Sequence, residues 1–148
     1  AYENYYSTIK TTSERNKGYE IAIADYTKSL ELKQMKFESL TARKDLYVKM
    51  ERYKEAIDEL NLCIKEFDFT FFYRVELGET YLKWKKYAEA IKQFSELLEG
   101  NDDELENSRE EILGFRADAY KGLGKKAEWC KDKKAIDGDF DCSKEWRK

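Results

Sequence analysis

Proline and histidine are both absent from this chain, and only seven of its 148 residues are glycine. Without these breakers the usual punctuation of sheets and long loops is missing, so a nearly all-helical protein with short connections is expected. The three cysteines, Cys63, Cys130 and Cys142, form no CxxC pair, and with no histidine present zinc sites and histidine-dependent triads lack their commonest parts. No apolar run approaches the ~18 residues that a bilayer span needs, so no membrane insertion is expected. Charge of neither sign dominates: 28 Lys and Arg against 31 Asp and Glu give a net charge of −3, which supplies no field for nucleic acid or an anionic membrane. There is no glycine-rich phosphate loop and no activated nucleophile, so neither an enzyme nor a bound cofactor or metal is expected. A chain beginning at Ala1 is expected to be either a trimmed piece or a mature exported form. A cytoplasmic site is the default expectation for its location, with an exported bacterial one as the alternative.

What is present is repetition. Tyr19, Tyr53 and Tyr87 fall in one column, Ala22, Ala56 and Ala90 in a second, and Ile23, Ile57 and Ile91 in a third, each step being 34 residues. Such a period marks helical hairpins that bury their apolar faces only by stacking on one another. The stretch Leu77 to Leu98 is the clearest copy, with Gly78 and Tyr81 on a first helix and Ala90, Ile91 and Phe94 on a second.

The spacing resembles the tetratricopeptide repeat, whose units set a small residue of the first helix against an alanine of the second. Here Gly78 faces Ala90 in that scheme, and Ala117 takes the small-residue place in the last unit. The resemblance implies an all-α fold, an α-α superhelix of antiparallel helix pairs. It would form one domain over 1–148, with units at about 3–35, 36–69, 70–100 and 104–137 and a capping helix at about 139–147.

Several local expectations follow. Residues 1–15 form a first helix, and Gly18 opens the turn into a second. In the next unit Arg43 and Lys44 stand where the better copy has Leu77 and Gly78, and their stems are expected to cover apolar neighbours while their charges reach water. Tyr120 lies 39 residues after Tyr81, so the last unit starts with a longer loop or an extended helix, capped by Asn101 or Asp102. Gly138 ends the final long helix, and a closing helix turns Phe140 and Trp146 inward. Within FDFTFFY, Phe67 and Phe71 are expected to be buried and Phe72 to face the groove. Lys83, Lys85 and Lys86 around Trp84 read as a solvated turn, and Cys63 as a small core residue. Cys130 and Cys142 allow a disulfide, although free thiols are favoured when the compartment is unknown.

In the resembling family the inner wall carries the ligand. By register one inner column reads Thr11, Asp45, Glu79 and Asp118, and its neighbour reads Asn4, Glu38, Phe72 and Glu111, with Glu76 between. The expected contacts are Glu38, Asp45, Phe72, Glu76, Glu79 and Asp118, an acidic groove suited to a basic or polar-aromatic peptide or partner helix. One subclass clamps a terminal carboxylate with cations on this face; the matching positions, Ser7, Thr11, Ala42, Phe72 and Glu76, hold none, which argues against that ligand. The function expected is a non-catalytic interaction scaffold. The alternative is a structural or regulatory piece of a larger assembly that self-associates, or meets a catalytic partner, through its ends or convex face.

Overall fold

The computed structural model describes residues 11–68, 70–101 and 103–146. Among these there are eight α-helices and no strand: α1 (Thr12–Glu31), α2 (Lys36–Lys49), α3 (Tyr53–Glu66), α4 (Thr70–Lys83), α5 (Tyr87–Glu99), α6 (Leu105–Gly122), α7 (Lys126–Ile136) and α8 (Cys142–Glu145). They fall into two compact units, 1–67 and 68–148.

Three hairpins, α2–α3, α4–α5 and α6–α7, share one turn. In each, three residues link the helices, and the middle one, Glu51, Lys85 or Gly124, has a left-handed backbone with φ of 57°, 60° or 71°. The turn is closed by paired backbone bonds, Arg52 N to Tyr47 O and Glu51 N to Val48 O in the first hairpin. Lys86 to Tyr81 and Lys125 to Tyr120 repeat the longer bond in the others. Only Gly124 adopts that conformation without a Cβ penalty. So short a link forces the two helices antiparallel.

Unit 1 holds α1, α2 and α3. Thr11 caps α1, its hydroxyl accepting from the Glu14 amide at 3.2 Å. The helix then runs unbroken through Gly18, which is buried within it. The turn expected at Gly18 is therefore absent: a helix-favouring sequence surrounds the glycine, and one glycine costs only about 1 kcal/mol there. The first-helix expectation for residues 1–10 lies outside the described residues. Ala22, Ile23 and Leu46 form a core patch with Tyr19, Tyr26, Tyr47 and Met50 against it, and Ala56, Leu60 and Cys63 of α3 are fully buried.

Unit 2 has an apolar core built on Phe71, Ala90, Phe94, Leu97, Ile112 and Ala119. Phe94 is wholly buried and stacks on Phe115 with ring centres 5.6 Å apart. Gly78 admits it: a Cβ at position 78 would lie 2.5 Å from Phe94 Cε1. The residues added before the last hairpin go into helix, since α6 has 18 residues against 14 in α4. Its N-cap is Glu104 rather than Asn101, and the Glu104 side chain makes no capping hydrogen bond to the helix; Asp102 lies outside the described residues.

The end of unit 2 is covalently fastened. Cys130 of α7 and Cys142 of α8 form a disulfide, their Cα atoms 5.6 Å apart, so the expectation of free thiols is corrected. The turn after Gly138 brings the two positions within bridging distance. Phe140 and Trp146 turn inward as expected, their rings edge-on to the buried indole of Trp129 at 5.4 and 5.1 Å. Asp141 caps α8 by accepting from the Ser143 amide.

Candidate interaction surface

On α4, Tyr73, Leu77 and Thr80 are buried at i, i+4 and i+7. Phe72, Glu76 and Glu79 occupy the same spacing one residue earlier, and so form the stripe beside the buried one. Phe72 is 55% exposed, while Glu76 and Glu79 are half-buried. Helix α6 touches α4 directly. Glu111 and Asp118 on α6 are both exposed and lie two turns apart on one face.

Arg116 fixes α6 in place. Its guanidinium bonds both oxygens of Asp132 on α7, at 2.8 and 2.7 Å, and donates to Ser95 Oγ of α5 at 3.0 Å. The hydrogen bonds to Asp132 hold the Arg116 pKa above its ordinary value against the opposing effect of burial. Sequence reasoning missed this pair. The available signal was Asp132 itself, lodged in the apolar stripe between Trp129 and Ile136, where a carboxylate requires a partner.

Unit 1 carries the other two expected site residues. Glu38 is exposed, but Asp45 is engaged by Lys44, whose ammonium lies 2.9 Å from its Oδ1. Lys44 is only 5% exposed, so the expectation that it reaches water is corrected, and the charge of Asp45 is matched inside the unit. Arg43 is turned inward as well. It donates to Glu59 of α3 and, at 2.9 Å, to Thr27 of α1, joining all three helices through one guanidinium. Its stem was expected to lie over the surface; the buried carboxylate of Glu59 draws the head group inside instead. Thr11 of the inner column is the exposed cap of α1, while Asn4 and Ser7 lie outside the described residues.

The turn at Trp84 is exposed, with Lys86 Nζ 5.3 Å from the indole centre. Among the described residues no three His, Cys, Asp or Glu side chains converge as a metal site would require, and no helix is long and apolar enough to cross a membrane.

Residues 73–101, which span most of α4 and all of α5, match the family model of the tetratricopeptide repeat. That match and the eight consecutive helices, packed neighbour on neighbour within each unit, fit a tetratricopeptide-like repeat protein of all-α class. No curated protein matches the chain significantly. Tetratricopeptide repeats are in general protein-interaction modules and typically non-catalytic.

Proposed function

We propose that this chain is a non-catalytic scaffold that holds a basic or polar-aromatic peptide, or a partner helix of that character, on the α4–α6 face of unit 2. The observation that carries the reading is Phe72, a large aromatic left more than half exposed on the same stripe as Glu76 and Glu79. An exposed ring beside carboxylates offers an apolar anchor with charges around it, and in protein interfaces such anchors supply most of the binding energy. Asp118 adds its charge from α6. Each rim carboxylate is worth only up to about 1 kcal/mol and acts mainly on association rate and selectivity. Glu38 would serve a partner in the same way on unit 1, and Asp45 less so because Lys44 already neutralises it.

The test is fluorescence anisotropy with a labelled Arg- and Trp-containing peptide and its Glu-substituted twin. Wild-type protein is expected to bind the basic peptide, more tightly at low salt. Phe72→Ala, and separately Glu79→Lys with Asp118→Lys, should weaken binding by roughly tenfold while leaving the melting temperature unchanged. Equal affinity in all three proteins would remove this face from the function. The Cys130–Cys142 bond supports the exported alternative for location, because structural disulfides persist where the surroundings are oxidising.

A further inference from the structure

Unit 1 holds a cleft of about 570 Å³ at the C-terminal end of α1, open to solvent between α1 and α3 with α2 as its floor. Leu30, Leu40 and Leu62 supply its apolar walls, one from each helix. Lys33, Lys36 and Arg43 supply cations. On α2 the floor residues 36, 40 and 43 repeat at i, i+4 and i+7. Glu38 and Asp45 stand two residues further on, roughly 200° around the helix. The cleft therefore opens on the side of α2 opposite its acidic residues.

The apolar surface does not end at the cleft. Leu32, Met35 and Phe37, at and beside the α1–α2 turn, are 58%, 66% and 45% exposed, and Leu62 on the wall is 41% exposed. Lys33 and Met35 in that turn both have left-handed backbones, with φ of 54° and 43°. Phe37 is partly covered by Phe67, whose ring stands edge-on at 5.2 Å, whereas Leu32, Met35 and the lining residue Leu62 stand largely in water; so many exposed apolar side chains on and beside one turn and its cleft mark an interaction surface rather than ordinary surface scatter. A small amphiphile inside the cleft would leave Leu32, Met35 and Phe37 wet, whereas a helix laid across it would cover them. The one carboxylate of the lining, Glu66, is already hydrogen-bonded by Lys36, and Arg43 is matched by Glu59 below the floor. Among the lining residues Lys33 is left as the exposed charge outside these pairs, so a basic guest is repelled and an acidic one attracted.

We infer that this cleft docks an acidic amphipathic helix of a partner protein, with leucine-type side chains at i, i+4 and i+7 seated between Leu30, Leu40 and Leu62 and a carboxylate meeting Lys33. The site is distinct in place and in charge preference from the acidic face of unit 2, so the scaffold carries two surfaces of opposite selectivity.

The probe is a fluorescein-labelled helical peptide with leucines at that spacing flanked by glutamates, compared with its lysine-flanked twin and with laurate. The acidic peptide is expected to bind wild-type protein, and Leu62→Asp and Lys33→Glu should each weaken it roughly tenfold. Both altered side chains are exposed, and unchanged thermal melts will show that the fold is kept. Phe72→Ala should leave this affinity as it was. Undiminished binding by the folded Leu62→Asp protein would overturn the assignment. So would binding of laurate without the peptide, or sedimentation showing that wild-type chains pair and the Leu62→Asp chain does not, since the occupant would then be a lipid or a second copy.

Discussion

Arg116 binds both oxygens of Asp132 through one edge of its guanidinium, Nε and Nη2, across a separation of 16 residues; Arg43 and Glu59 stand at the same separation and make the same first-helix-to-second-helix bond. In the hairpin between them the equivalent places hold Leu77 and Gln93. Two hairpins thus carry a buried ion pair where the third is uncharged. The two pairs differ in completeness: Arg43 Nε and Glu59 Oε2 are buried without partners, whereas Asp132 uses both oxygens.

Glu59→Gln should destabilise the protein by about 3–5 kcal/mol, because the Arg43 charge would be left buried without its counterion. Grafting the uncharged solution, Arg43→Leu with Glu59→Gln, should recover most of that loss or exceed wild-type stability. Urea denaturation of the three proteins decides it, and a double variant no better than the single would show that the pair contributes net stability.

Gly78→Ala should also destabilise. Alanine is the better helix former by about 1 kcal/mol. Against that, its methyl would press on the wholly buried Phe94 ring, itself stacked on Phe115, and overpacking costs about 1–3 kcal/mol. The net expectation is a loss of about 1 kcal/mol, and a smaller residue at 94, as in Gly78→Ala with Phe94→Leu, should restore part of it in thermal melts.

Reducing the Cys130–Cys142 bond, or replacing Cys142 by serine, should lower stability by about 2–3 kcal/mol, as expected for a loop of 12 residues. Because Trp129 is buried under Phe140 and Trp146, tryptophan emission should shift to the red in the same step. Emission unchanged by reductant would mean that ring packing alone holds α8.

Acid should weaken the fold at two named places. The hydrogen bond from Lys36 holds the Glu66 carboxyl below its ordinary pKa, and the bonds from Ser143 do the same for Asp141. A depressed folded-state pKa gives stability that is present above the unfolded value and disappears as the pH falls through the folded one. The melting temperature should therefore fall with pH below the ordinary carboxylate range. The fall should be shallower in Glu66→Gln and in Asp141→Asn, and identical slopes would assign the acid sensitivity elsewhere.

Much of the architecture was legible because it rests on apolar periodicity. The alanine column survives as 1%, 0% and 0% exposure at Ala22, Ala56 and Ala90. Gly78, expected against Ala90, meets the Phe94 ring most closely, because spacing shows where a side chain is missing and not which neighbour fills the place. Polar burial was not legible. Glu59 lies between Ala56 and Leu60 on the face of α3 that also buries Cys63, a place where a carboxylate implies a cation 16 residues back, but reading Arg43 alone suggested a solvated head group. Of the aromatic cluster, Phe71 is buried as expected and Phe72 is left exposed, whereas the engagement of Asp45 by Lys44 depends on a buried ammonium that no spacing reveals. The Gly18 turn failed for a third reason, since a glycine within helix-forming neighbours follows them.

The buried pairs also govern how this sequence can change over generations. An aliphatic core accepts single replacements, each of modest consequence, in any order. Arg43 and Glu59 do not, because losing either one strands the other, so the route from this hairpin to its Leu77 and Gln93 counterpart passes through a poorly folded intermediate unless both codons change together.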